Sequence, residues 1–479
     1  WSGTFTPSTN TEDASNALSL ATSYTDLAGN PGPAETTSNY AVETRAPTVS
    51  SFTLSDSALK IGDNATVTLV FSDAVISFSS ADDITVNNGA LTTMTSSDNI
   101  TWAGTFTPAV NTEDATNILS LATSYTDPAG NAGPSANTAN YDVDTLAPTI
   151  SSVAITGASG VLNNFVNAGD VVSVTVTFSE NVSKTGTPQL TLVVGSATRT
   201  AGYASGSGST ALVFQYTIQA GETDSDGISI GSNALALNSG TIRDPAGNNG
   251  TLTHNAVTHN SSYKVDTTAP TVNAFTIDDS VLLVGETADV DLEFSEVVIS
   301  FASSADITAP NGTLATMTSS DNITWSETFT PTSNREDTTN TLSLATSYTD
   351  PAGNAGASAT TSNYVVDTRA PTVSSVAITG AVGAQNNFVN AGDNVSVTVT
   401  FSEDVPVTGS PQLTLAIGSD SRTATYASGS GSTALVFQYT IQDGDTDTNG
   451  ISIGSNALAL NSGTIKDDAG NNATITHSS

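Results

Sequence analysis

The chain contains no cysteine, and that one absence removes disulfide frameworks, CxxC redox pairs and cysteine-ligated zinc together. Basic residues are nearly as scarce: 10 Lys and Arg stand against 46 Asp and Glu, for a formal net charge of −36. Nucleic acid is excluded as a partner on that balance, because neutralising phosphates takes a Lys/Arg surface. An anionic membrane surface is disfavoured for the same reason. No apolar run approaches the roughly 18 to 20 residues of a membrane span, so no direct membrane insertion is expected in this segment. Nucleophile and nucleotide motifs are missing too. There is no GxSxG, HExxH or P-loop, and GASG and SGSGS lack the Lys-Ser/Thr and the helix that would give them meaning. The chain reads as a non-enzyme. Self-repulsion of this size calls for high salt or for a cation that binds specifically.

What the chain has in abundance is repetition. An acid, Thr, any residue, Ala and Pro recur at Glu43–Pro47, Asp144–Pro148, Asp266–Pro270 and Asp367–Pro371, with spacings of 101, 122 and 101 residues. Two module lengths therefore alternate. SSDNITW at Ser96 returns at Ser319, and SGSGSTALVFQYTIQ at Ser205 returns at Ser428. The expected partition is 1–43, the C-terminal half of a short module; 44–143, short; 144–265, long; 266–366, short; and 367–479, long but without its last strand. Both ends fall inside modules, as in a window on a longer chain. A period this long is a whole-domain repeat and not a solenoid.

Within each module the period is two. Ala65, Val67, Leu69 and Phe71 alternate with Thr66, Thr68 and Val70; Val172, Val174, Val176 and Phe178 share one face, as do Leu212, Phe214, Tyr216 and Ile218. Val- and Thr-rich alternation broken by Gly/Asn/Asp/Ser clusters reads as half-buried strands, and no segment holds a helical period. About 100 residues and about seven strands per module predict an all-β fold, tandem immunoglobulin-like β-sandwiches in an extended rod. Trp102 and Trp325 are expected to face the core, and the added length of the long module is expected around Gln189–Ser209, with GYASGSGS a flexible turn.

The text TxAPTVSS, GDNATVTLVFSD, ITWAGTFTP, EDATNILSLATSYTDPAGNAG and YDVD resembles the bacterial immunoglobulin-like repeats of giant secreted surface adhesins. The long modules, with FSENV, LVFQYTI, GETDSDGISI and VDTTAP, resemble a sister repeat of such proteins. The resemblance implies a secreted, calcium-rigidified stalk that holds a distal binding domain away from the cell.

Strand parity places the acids independently. In a seven-strand sandwich the loops after strands B, D and F lie at the end where the chain comes in, and those after A, C and E where it leaves. Asp73 closes strand B, and Asp127 with Asn131 lies after strand F, at the leading end facing Glu12, Asp13 and Glu43 of the module before. Asp63 before strand B, and Glu113 with Asp114 before strand F, lie at the trailing end beside Asp144, facing Glu180, Asp244 and Asn248. The third junction is expected to gather Asp170, Asp224, Asp226 and Asp266 against Glu296, Asp350 and Asn354. The fourth gathers Glu286, Glu336, Asp337 and Asp367 against Glu403, Asp467 and Asn471.

Carboxylates brought within roughly 4 to 6 Å repel, and would be driven to bind protons unless a cation sits among them. Calcium, with about six to eight oxygen ligands in tolerant geometry, suits such a set; magnesium needs a tighter octahedral cage. Zinc has only three His to draw on. Ca2+ is therefore the expected ion at these junctions. DPAG is also the pattern of a type I turn, which holds whether or not an ion binds.

Two functional classes follow. The first is a structural stalk of a bacterial cell-surface adhesin, extracellular, with neighbouring modules of the same chain as its partners. The alternative is a self-assembling extracellular filament, matrix or surface layer, in which other copies of the chain supply packing or strand exchange.

Overall fold

The computed structural model describes residues 1–479. It is built from strands, with two four-residue helices, Ser80–Asp83 and Ser303–Asp306. No helix is long and apolar enough to cross a membrane. The chain divides into two compact units, residues 1–160, 169–218 and 224–264 in one, and 161–168, 219–223 and 265–479 in the other.

In the first unit, 44–143 forms a two-layer sandwich. One sheet runs in the order Val49–Leu54, Ala65–Phe71, Thr101–Pro108, Gly89–Leu91. The facing layer holds Glu113–Asn117, Tyr141–Asp144 and Ala58–Lys60, with Ala136–Asn137, Ser120–Leu121 and Ile84–Thr85. The period of two explains the layering: Ala65, Val67, Leu69 and Phe71 are at most 1% exposed while Thr66 faces solvent. Burying each of the larger ones contributes about 1.5–3 kcal/mol. Trp102 packs on this core with its ring edge-on to Phe78 at 4.8 Å, as expected of an inward strand residue. In the second unit 266–366 repeats the arrangement, from Val272–Ile277 and Ala288–Phe294 to Tyr364–Asp367, around Phe294, Phe329 and Tyr364.

The long repeats build a larger principal sheet. In 144–265 it has seven strands, Ile150–Ala158, Val171–Thr185, Ser209–Thr217, Ala197–Ser205, Gln189–Val194 and Leu235–Ala236 in that order, with Thr241–Arg243 beside Val171–Thr185. The additional length becomes paired strand. GYASGSGS is a tight turn and not a loose loop: Ser209 donates its N–H to the Gly206 carbonyl at 3.1 Å, and Ser207 donates to the Tyr203 hydroxyl at 2.8 Å. Gly206 holds φ +104, and a Cβ there would lie 1.9 Å from the Ala211 carbonyl, so only glycine fits. In 367–479, six strands follow the same order, from Val373–Val382 to Ser452–Ala459.

The recurring phrase has a structural task at each place. Its Thr closes the module behind it. Thr145 Oγ1 accepts the Thr112 N–H at 3.0 Å and donates to the Ala109 carbonyl at 2.6 Å; Thr44 and Thr368 do the same with Thr11 and Ser8, and with Arg335 and Thr332. Its Pro opens the module ahead: the Pro148 and Pro371 carbonyls accept N–H groups from Thr251 and Thr474, both at 2.8 Å. All four prolines are buried. Thr145→Val keeps the shape and removes the hydroxyl, which leaves the half-buried Thr112 N–H without its partner. The expected loss is about 1–3 kcal/mol for residues 44–143. Urea unfolding followed by Trp102 fluorescence, with Trp1 and Trp325 replaced by Phe, measures it; an unchanged midpoint refutes the role.

Candidate metal centre

Each DPAGN-type loop is built around its own Asp. Asp244 Oδ1 accepts the N–H groups of Gly247 and Asn248 at 2.6 and 2.8 Å, and its Oδ2 accepts Asn248 Nδ2 at 2.8 Å. These bonds leave the Asn side chain pointing out of the loop. Asn248 Nδ2 also donates to the backbone carbonyl of Asp144 at 2.9 Å, and its Oδ1 accepts the Ile61 N–H at 2.8 Å. One amide therefore ties the linker acid, the trailing turn of 44–143 and the leading loop of 144–265. Asn471 repeats this on Asp367 and Val284 at 2.9 and 2.8 Å. Asn131 and Asn354 reach the carbonyls of Glu43 and Asp266 at 3.3 and 3.0 Å.

With the linker so held, carboxylates meet. Oxygens of Asp144, Glu180 and Asp244 lie within 4.8 Å of one another, as do those of Asp266, Glu296 and Asp350. Strand register adds a fourth acid, because Glu113 sits directly across from Asp144. Glu12 opposite Glu43 and Glu336 opposite Asp367 repeat that like-charge pairing, a destabilising arrangement on a sheet. Glu180 is aimed by a bulge: it lies in Val171–Thr185 where the register against Ser209–Thr217 breaks between Thr177 and Val182. Glu180 Oε1 is buried and has no hydrogen-bond partner.

The charge state follows. Burial, then the charges of Asp244, Asp144 and Glu113, push the Glu180 carboxyl up to about 7. Burial and the neighbouring Asp244 and Glu113 likewise raise Asp144, although the Leu146 N–H opposes them. Glu296 is raised by burial and by Asp266 and Asp350. Burial and Asp467 raise Glu403 and Asp367, and the Arg369 guanidinium works against both shifts.

Other candidate acids are engaged by donors of their own or neighbouring segments. Asp63 Oδ2 accepts Lys60 Nζ at 3.1 Å, which holds its carboxyl below the usual range. Glu286, its counterpart, accepts the Leu283 N–H at 2.9 Å. Asp114 is held low by the Thr116 N–H and hydroxyl and by Asn88, and Asp337 by Thr339 and Asn311. Burial pushes Asp127 up, yet bonds from Asn131, Ala129 and Gly130 leave it lowered. Asp73 Oδ1 faces Arg45 at 3.2 Å. Asp350 and Asp467 anchor their loops as Asp244 does. The backbone of Asp170 accepts the Ile218 N–H at 2.8 Å. Asp224 and Asp226 gather with His259, a residue the parity argument did not use, and Asp224 is satisfied by the N–H groups of Gly195 and Gly227 at 2.7 and 2.9 Å.

Parity also missed the buried Asp83 and Asp306, which lock the short helices by accepting the Ser79 and Ala302 N–H groups, both at 2.7 Å. The only signal in the sequence was their repetition in both short modules. Arg45 and Arg369, in the variable place of the phrase, were missed because the other two copies carry Leu146 and Thr268 there.

Residues 43–143 and 266–366 match the family described as bacterial Ig-like domain, each match running from a linker acid to the residue before the next. The chain is thus an array of β-sandwiches, two of which match the bacterial Ig-like domain model. No curated protein matches the sequence. Among solved structures it is similar to the Escherichia coli adhesin FdeC, at 13% identity and a TM-score of 0.27, over 66% of this chain and 96% of that one.

A carboxyl whose folded-state pKa is raised contributes stability that is full below its ordinary pKa and is lost as pH rises through the folded value. With divalent ions removed, the unfolding temperature of the 144–265 region is expected to fall as pH rises from about 5 to about 8. Glu180→Gln is expected to flatten that slope. Scanning calorimetry across this range tests it, and an equal slope in the variant refutes the assignment.

Proposed function

We propose that this chain is a segment of the structural stalk of a bacterial cell-surface adhesin, extracellular, whose module junctions are stiffened by bound calcium. The observation that carries the reading is the meeting of Asp144, Glu180 and Asp244, with Glu113 across the strand, around one linker residue. Two carboxylates about 4 Å apart repel by about 4 kcal/mol at an effective dielectric of about 20. The hydrogen bonds that hold them together contribute about 1 kcal/mol each. A fold that spends several such bonds on assembling like charges is understandable if a cation completes the site.

The donor set fits calcium. Every candidate ligand is a hard oxygen, and Glu180 Oε1 is a buried acceptor without a donor. Asp144, Glu180 and Asp244 would hold the ion, which supplies two positive charges and removes the need for protonation. Asn248 positions the linker and the loop so that both modules contribute. The repeats support the stalk reading, since tandem sandwiches with pinned linkers set reach, and the absence of nucleophile or nucleotide motifs gives no support to catalysis.

Calcium is expected to raise the unfolding temperature of the chelator-treated chain and to narrow the distance distribution between spin labels placed on either side of Asp144. Asp144→Ala should lose both effects at that junction and leave the flanking sandwiches folded by circular dichroism. Identical melting curves with calcium and with chelator refute the metal reading.

A further inference from the structure

We infer that the third residue of the linker phrase decides whether a junction recruits a divalent cation: arginine there takes the place of the ion, and an uncharged residue leaves the site to it. The inference rests on the calcium reading above and adds a rule for which junctions depend on it.

The four copies carry Arg45, Leu146, Thr268 and Arg369 at this place. Carboxylate oxygens gather within 4.8 Å behind Leu146 and Thr268, at Asp144/Glu180/Asp244 and Asp266/Glu296/Asp350. No such gathering forms at the counterpart sets Glu43/Asp73/Asp127 and Asp367/Glu403/Asp467, which follow the arginines. There a guanidinium faces the paired acid of the preceding repeat, and at Arg45 the acid ahead of the linker as well. Arg45 Nη2 lies 2.5 Å from Glu12 Oε2 and 3.2 Å from Asp73 Oδ1, bridging the acid on one side of the linker to the acid on the other. Arg369 Nη1 lies 3.9 Å from Glu336. Glu113, the equivalent of Glu12 and Glu336, has Leu146 in place of that arginine. The buried, unpartnered Glu180 Oε1 belongs to the Leu146 junction.

The junctions at Asp144 and Asp367 make a natural controlled pair. Both join a short repeat to a long one, and in both the Asn amide reaches the linker carbonyl at 2.9 Å. Module type and backbone staple are therefore not what separates them. Lys60 does not fill the role at the first: its stem lies 3.6 Å from where a Cβ on Gly247 would stand, and its ammonium pairs with Asp63 at 3.1 Å. A guanidinium is suited to the exchange because it is always charged and can contact two carboxylates at once.

Leu146→Arg and Arg369→Leu in the full 479-residue chain test this by calorimetric titration of the chelator-treated proteins with calcium alone. Leu146→Arg is expected to lower the number of ions bound, and Arg369→Leu to raise it. Leu146→Met, which keeps an uncharged side chain, is expected to bind as the native chain does, separating loss of the site from misfolding. Undiminished binding in Leu146→Arg together with no gain in Arg369→Leu overturns the assignment while calcium binding stands. A native chain that binds no calcium overturns the calcium reading itself.

Discussion

One asparagine amide per junction is the contact on which the rest of the arrangement depends. Asn131, Asn248, Asn354 and Asn471 each hold their own loop through an Asp and, with the same Nδ2, grip the backbone carbonyl of the linker acid. Because the grip is on backbone, it works whether the acid is Glu43 or Asp144. With the carbonyl pinned beside the next loop, the carboxylates of Asp144 and Asp266 stand with Glu180 and Asp244 and with Glu296 and Asp350.

That constraint sets hydrogen bonding against electrostatics. A tie worth about 1 kcal/mol assembles charges whose mutual repulsion is several times larger, and elsewhere in the same modules the acids are handled differently. Asp63 has Lys60, Asp114 has Thr116 and Asn88, and Asp83 and Asp306 are enclosed by donors. Local consistency is the rule in these sandwiches, and the junction is where it is broken. Breaks of that kind mark function more often than error. Here the surroundings differ by junction, with a guanidinium on Glu12 and on Glu336, the acids paired with Glu43 and Asp367, and Leu146 or Thr268 in its place behind Asp144 and Asp266.

Much of the fold was legible because its signals are local and repeated. Ala65 to Phe71 announces a strand by alternation, and the same pattern returns at Ala288 to Phe294. The acids of the DPAGN loops were legible for the same reason. Composition marks the Gly/Ser run as a turn but does not reveal that Gly206 is needed at positive φ beneath the Ala211 carbonyl. Asp224 and Asp226 illustrate a different limit. Parity assigns a residue to one end of a sandwich, but only the packed loops decide that their side chains turn to His259 and to backbone donors.

The sequence by itself determined the all-β character, the alternation of two module lengths and the acid at the head of each linker, since period-two patterning and internal repetition need no long-range information. Tertiary structure decided which of those acids share one space. Glu180 enters the cluster through a bulge in Val171–Thr185, Glu113 through strand register, and Asp144 through an amide 104 residues away. Those are contacts between segments far apart in the chain, so which carboxylates meet at a junction, and which face a guanidinium, appears only when the modules are folded and joined.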